Sequence, residues 1–176
     1  MSENLLGTKV GHFRVVDFLG KGGMSEVYVG YDEKLERKVA LKAIGAGYRF
    51  DTESKARFLR EARVLSQLQH PNICAVHDVG EQNGVDYLVL EYLEGETLAA
   101  RLASASMPLE QVLRYAVQIA DALDKAHRKG VSHRDLKPGN IMLTKTGVKL
   151  LDFGLAKMTR ATTDAAVSSV PTQDVA

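Results

Sequence analysis

The sequence predicts an α+β chain in two unlike parts, a small antiparallel sheet carrying one helix and then a mainly helical part. Three observations carry this. Short β-type runs broken by glycines fill residues 12 to 44, the apolar period turns helical between Asp51 and Gln69, and helix formers dominate after Gly95.

Taken in order, the first strands are Phe13 to Leu19, Glu26 to Tyr31 and Lys38 to Ile44, separated by Gly20, Gly22, Gly23 and the polar Asp32-Glu33-Lys34. A helix follows on Phe58, Glu61, Ala62, Leu65 and Leu68, with Asp51 or Thr52 as its cap and His70-Pro71 as its stop. Two further runs, Ile73 to Val79 and Val85 to Glu91, are joined by the turn signal Gln82-Asn83-Gly84 and bring the expected sheet to five strands. Beyond Gly95 come a short helix near Thr97 to Ser104 and a long one from Leu109 to Arg128, opened by Pro108 and closed by Gly130. On the long helix Val112, Ala116, Ile119 and Leu123 form one stripe, widened by Leu113, Val117 and Ala120. So wide a face expects cover from several partners. Ile141 to Leu143 and Val148 to Leu151 read as a β-hairpin, and residues 159–176, rich in Ala, Thr, Ser and Val without a period, read as mobile.

With 45% hydrophobic and 26% charged residues over 176, the chain can build a globular core. Its net charge of +1, with scattered basic residues, gives no footprint for nucleic acid or an anionic membrane surface. No apolar stretch is long enough to span a bilayer and the N-terminus has no signal-peptide pattern, so the segment is expected to be cytoplasmic, with no membrane contact of its own. The single cysteine, Cys74, excludes an internal disulfide and reads as a packed strand residue.

The chemistry concentrates near the C-terminal end. His133-Arg134-Asp135-Leu136-Lys137-Pro138-Gly139-Asn140 is followed, across the hairpin, by Asp152-Phe153-Gly154. An acid, a lysine, an amide and a second acid are what phosphoryl transfer needs: a group to orient the attacking hydroxyl, a cation for the γ-phosphate, and hard oxygen ligands for a metal. Upstream, Gly20-Lys21-Gly22-Gly23-Met24-Ser25 lies between two strands. Glycines there also suit a plain hairpin, but a dinucleotide-binding loop would open a helix, whereas Val27-Tyr28-Val29 continues as a strand. Val39-Ala40-Leu41-Lys42 places a lysine on the third strand, and Glu61 sits within an apolar helical stripe where an unpaired carboxylate is costly. Lys42 is its expected partner.

These motifs, in this order, resemble those of the eukaryotic-type serine/threonine protein kinases, with a bacterial cast from Met24 and Pro138-Gly139. The resemblance covers Val10 to Lys157 and implies a bilobal protein-kinase-like fold: a tail over residues 1–9, an N-lobe over 10–90, a hinge over 91–95, a partial C-lobe over 96–158, and the start of an activation segment over 159–176. It implies ATP with Mg²⁺. Asp135 would orient the substrate hydroxyl, Lys137 would meet the γ-phosphate, Lys42 would hold the α- and β-phosphates in a pair with Glu61, and Asn140 and Asp152 would bind the metal. Gly20, Lys21, Gly22, Gly23, Met24 and Ser25 would close over the phosphates, with Ser25 departing from the family's third glycine. Leu90, Glu91 and Leu93 would meet the adenine edge. Val27, Ala40 and Met142 would sandwich the purine, although as residues alone they read equally as core. His133 and Phe153 would pack in a column with Leu65 and Val76.

Lys137 indicates protein Ser/Thr hydroxyls as acceptors, and Arg134 suggests control by a phosphate on Thr159, Thr162, Thr163, Ser168, Ser169 or Thr172, with a kinase–kinase dimer as the candidate assembly for autophosphorylation. The family's anchoring motif and last helices do not follow, so the chain is expected to be a fragment, poorly stable and at best weakly active alone. Two rival readings are a non-catalytic nucleotide-binding scaffold and a small-molecule phosphotransferase of related fold.

Overall fold

A computed structural model describes residues 5–22, 25–44 and 52–153 of the chain. Six strands form the upper sheet: β1 (Lys9–Val10), β2 (Phe13–Lys21), β3 (Ser25–Asp32), β4 (Arg37–Ile44), β5 (Val76–Gln82) and β6 (Val85–Glu91), in the spatial order β1-β2-β3-β4-β6-β5 and antiparallel throughout. The five predicted strands are all present, and β1 is the addition. Two residues are too few to show a period, and β1 exists because Lys9 and Val10 find partners in Arg14 and Phe13.

β4 is the central strand, so its last six residues, from Val39 to Ile44, are buried. Lys42 is therefore fixed between Val27 on β3 and Leu88 on β6. The Asn83-Gly84 turn takes positive φ at both residues (54° and 76°), the geometry that lets a two-residue loop follow the strand twist. Helix α1 (Thr52–Ser66) lays Phe58 and Ala62 against Ile44 and Leu88. Lys55 fastens the start of α1 to the β5–β6 hairpin through Glu81 and Asp86.

The strand expected to begin at Ile73 begins at Val76. Residues 72–74 bond to the lower part of the molecule, where Leu150 N donates to Asn72 O (2.8 Å) and Cys74 N donates to Leu150 O (2.9 Å), while Ala75 O already accepts from Glu91 N of β6. This crossover strand is shared between the two layers, and Ile73 bridges Leu150 instead of β6.

Below the hinge, β7 (Glu96–Thr97), β8 (Ile141–Thr144) and β9 (Gly147–Leu150) form a second sheet. Helix α2 (Leu98–Ser104) is capped by Thr97, whose hydroxyl accepts from Ala100 N at 3.1 Å. Helix α3 spans Leu109–Arg128 as the periodicity predicts. Its inward face differs from the predicted stripe. Ala122 and Ala126 are the buried residues, with Tyr115, Ile119 and Leu123 packed beside them, while Leu113 (57% exposed) and Val117 (69%) point outward. Small residues face inward because β9 comes close: Gln118 Oε1 accepts from Val148 N at 2.9 Å. At the turn into β7, Gly95 lies against the backbone of Leu143, where any side chain would collide with the Leu143 carbonyl.

One core cluster joins the two layers, running from Leu65 of α1 and Leu68 just beyond it through Ile73 to Ala122, Leu150 and Phe153. Among the described residues no helix is long and apolar enough to cross a membrane.

Candidate active site

The cleft between the two sheets is a cavity of about 150 Å³. Its roof comes from β3 and β4 (Val27, Ala40, Lys42), its back and rim from the end of β6 and the segment after it (Leu90, Glu91, Leu93), and its floor from Met142 and Asp152. Eight of the predicted cofactor and metal residues thus line one cavity. Alternation along the strands explains the roof: Val27 pairs with Lys42, and Ala40 with Leu90. Sequence reasoning missed Leu19, Cys74 and Leu151 as lining residues. Leu19 was legible as the residue before the first glycine of the loop; Cys74 and Leu151 were not, because they reach the cleft only through the pairing of residues 72–74 with the end of β9.

The glycine-bearing hairpin continues β2 and β3 beyond Leu19 and Val27, which line the cleft, and none of its described residues lines the cavity itself. Gly20 and Lys21 pair with Val27 and Glu26, Gly22 N donates to Ser25 O at 2.8 Å, and Lys21 Nζ reaches Glu26 at 3.0 Å. Gly23 and Met24 lie outside the described residues, as do Gly154 and the candidate phosphate acceptors of residues 159–176.

At the mouth, Lys42 Nζ donates to Asp152 Oδ1 at 2.5 Å. Lys42 is buried by β3 and β6, so a carboxylate at this distance offsets the cost of keeping an ammonium there. The expected Lys42–Glu61 pair is not made. Glu61 instead reaches Arg134 Nη1 at 3.7 Å, because its turn of α1 overlies the loop before Asp135 while Asp152 already occupies Lys42. The carboxylate on the helical stripe does find a cation, but a different one. It is also less enclosed than the stripe suggested, at 28% exposure.

The second cluster forms on the loop and single 3₁₀ turn that precede β8. Asn140 Nδ2 donates to Asp135 Oδ2 (3.0 Å) and to Asp135 O (2.8 Å), and Lys137 Nζ lies 2.8 Å from Asp135 Oδ2. The Lys137 ammonium, helped by the Asn140 amide, holds the Asp135 carboxyl below the usual carboxylate range, so it is ionised at neutral pH. Leu151 N donates to Asn140 O at 2.9 Å, which ties this cluster to the residue before Asp152. Arg134 (φ 64°) and Asp152 (φ 57°) both adopt the left-handed backbone region, sparsely populated by residues with a side chain and concentrated at functional sites.

His133 is buried against Phe153, with ring centroids 4.5 Å apart. Phe153, Leu65 and Val76 belong to one apolar cluster, which fits the column implied by the resemblance. Neither ring nitrogen of His133 makes a well-aligned hydrogen bond. Burial lowers its pKa, opposed by the nearby Leu151 backbone and the carboxylates of Asp152 and Asp135.

The donors present suit a hard divalent cation with retained waters. Asp152 has one oxygen beyond its bond to Lys42, and Asn140, having spent its N–H₂ on Asp135, keeps its carbonyl oxygen. Two protein ligands do not hold such an ion tightly, and among the described residues no cluster of three His, Cys, Asp or Glu side chains exists. An ion held here would need further oxygen ligands from outside the protein, such as phosphate oxygens and water.

Comparison with known proteins agrees with this arrangement. Residues 13–174 match the protein kinase domain family. The serine/threonine-protein kinase PrkC of Bacillus subtilis is 39% identical over 170 residues, covering 94% of this chain and 26% of PrkC. The serine/threonine-protein kinase PknA of Mycobacterium tuberculosis is 41% identical over 164 residues, covering 89% of this chain and 38% of PknA. Among solved structures, the PknI kinase domain of M. tuberculosis superposes with a TM-score of 0.77 at 36% identity, over 85% of this chain and 61% of that one. The apo form of PpkA-294 gives a TM-score of 0.82 at 26% identity, over 95% and 67%. With a profile match over nearly its whole length and bacterial serine/threonine kinases as relatives, the chain belongs to the protein kinase domain family.

Proposed function

We propose that this chain carries the nucleotide site and the catalytic loop of an ATP-dependent protein serine/threonine kinase. The observation that supports it most directly is the meeting of Lys42 and Asp152 at the mouth of an apolar cleft, with the Asp135–Lys137–Asn140 cluster bonded to the neighbouring Leu151.

In this reading the purine lies between Val27 and Ala40 above and Met142 below, with its edge on the backbone of residues 91–93, and the hairpin of Gly20, Lys21, Gly22, Gly23, Met24 and Ser25 covers the phosphates. Mg²⁺ held by Asp152 and Asn140 supplies charge neutralisation at the phosphates. Lys42 turns from Asp152 towards the α- and β-phosphates, and α1 carries Glu61 from Arg134 to Lys42. Asp135, ionised by its neighbours, orients the acceptor hydroxyl and takes its proton. Lys137, now 2.8 Å from Asp135, meets the γ-phosphate as the acceptor oxygen displaces ADP. The acceptor is a protein Ser or Thr, and a cytoplasmic setting and autophosphorylation between two copies belong to the same reading.

The test pairs binding with transfer. The 176-residue chain is expected to bind Mg²⁺·ATP and to label a generic Ser/Thr protein slowly from γ-labelled ATP. Asp135→Asn should keep binding and lower transfer by about a hundredfold or more. Binding with no transfer, even from a chain restored to a full kinase domain, would favour a scaffold. Labelling of aminoglycosides or choline in preference to protein would favour a small-molecule phosphotransferase.

A further inference from the structure

The reading above uses the backbone of Glu91 but gives its side chain no task. That side chain is the most heavily engaged at the hinge. Lys149 Nζ donates to both carboxylate oxygens at 2.8 Å, and Oε2 also accepts from Ala75 N at 3.2 Å. The backbone of the same residue is held as well: its N–H donates to Ala75 O at 2.9 Å, and its carbonyl accepts the Cys74 thiol at 3.7 Å. Lys149 is only 14% exposed and Glu91 29%, so the pair is largely sheltered from water. Lys149 stands on β9 directly opposite Met142, a floor residue of the cleft, while Glu91 is the last residue of β6 on its rim. One ion pair therefore clamps rim to floor at the purine end.

We propose that the Glu91–Lys149 ion pair is a specificity-determining brace that fixes the Glu91 carbonyl so that the cleft accepts adenine and rejects guanine nucleotides. The proposal rests on the nucleotide reading above. Adenine presents an exocyclic amine, a donor, where guanine presents a carbonyl, an acceptor. A backbone carbonyl held rigidly opposite that position gains a hydrogen bond from the first and meets oxygen-to-oxygen repulsion from the second. The rejection works only if the carbonyl cannot turn aside. Residues 92–95, immediately after Glu91, have no regular structure to resist such a turn, so the side-chain brace supplies the resistance. Lys149 acts through Glu91 without touching the nucleotide and is a positioning residue.

The experiment measures dissociation constants of Mg²⁺·ATP and Mg²⁺·GTP by competition with a fluorescent ADP analogue, on the whole chain and on three variants. Lys149→Met and Glu91→Gln should each lower the ratio Kd(GTP)/Kd(ATP) by about fivefold or more, while Lys149→Arg, which keeps the cation, should hold it within about twofold. Equal weakening of both nucleotides in the first two variants would mean a merely structural pair and would overturn the proposal, as would an unchanged ratio. Should Lys149→Met fail to melt cooperatively, Glu91→Gln alone decides, since it keeps shape and volume. A native chain that binds neither nucleotide would instead defeat the kinase reading itself.

Discussion

The Glu61 carboxylate lies 3.7 Å from the Arg134 guanidinium, joining the middle of α1 to the loop that carries Asp135. In the proposed reading these are a helix acid that pairs with Lys42 and an arginine that receives a phosphate, and here they occupy each other. Arg134 is 47% exposed and Glu61 28%, so water screens the pair and its worth is small. A double-mutant cycle on Glu61→Gln and Arg134→Gln by urea denaturation should return a coupling below about 1 kcal/mol, shrinking further in salt.

Asp152 has the opposite character, because its partner is buried. Asp152→Asn should weaken Mg²⁺-dependent nucleotide binding by about tenfold or more, and in the apo chain it leaves the Lys42 ammonium facing a neutral amide. Isothermal titration with ADP, with and without Mg²⁺, should show the magnesium dependence largely gone; an unaltered dependence would remove Asp152 from the metal site.

Burial lowers the pKa of His133 below its ordinary value near 6.5. The unfolded chain then binds more protons than the folded one in this range, so stability is complete above about pH 6.5 and falls as pH drops towards the folded pKa value. His133→Phe should flatten that acid-side loss. Urea midpoints at pH 7.5 and 5.5 compare the two slopes.

Burial also pushes the Cys74 thiol up to about 12, where the reactive thiolate is rare. Alkylation by iodoacetamide at pH 8 should proceed on the order of a hundredfold or more slower than in the urea-unfolded chain. A fast native reaction would mean that the cleft opens far more often than its packing suggests.

Leu109, Leu113 and Val117 stand one helical turn apart on α3 with exposures of 72%, 57% and 69%. Such a row favours association. Sedimentation velocity should find concentration-dependent assembly of the chain, and Leu113→Glu with Val117→Glu should shift it to monomer without moving the melting temperature much.

What the sequence disclosed and what it concealed divide along chain distance. Asp135, Lys137 and Asn140 are near neighbours in the chain, so their cluster is written locally, and Lys42 could be placed because a strand fixes which face each residue takes. The Lys42–Glu61 expectation misplaced the partner because burial cost argues only that a carboxylate needs a cation, not which one. Lys42 is taken by Asp152, and Glu61 meets Arg134 because of where the helix sits against the loop. Glu91–Lys149 joins residues far apart with no periodic signal. On α3, hydropathy marked the larger apolar residues as core, whereas the close approach of β9 selected Ala122 and Ala126.

Gly95 gives the cleft an unexpected governor. It touches no predicted ligand, yet a single methyl at this point would be driven into the Leu143 carbonyl, and Leu143 is the chain neighbour of Met142. Enlarging residue 95 would wedge the lower sheet outward and tilt the cleft floor at Met142, where the proposed reading rests the purine. The height of that floor is thus set by an atom that glycine lacks, and altered nucleotide preference can be sought at a position that lines no part of the cleft.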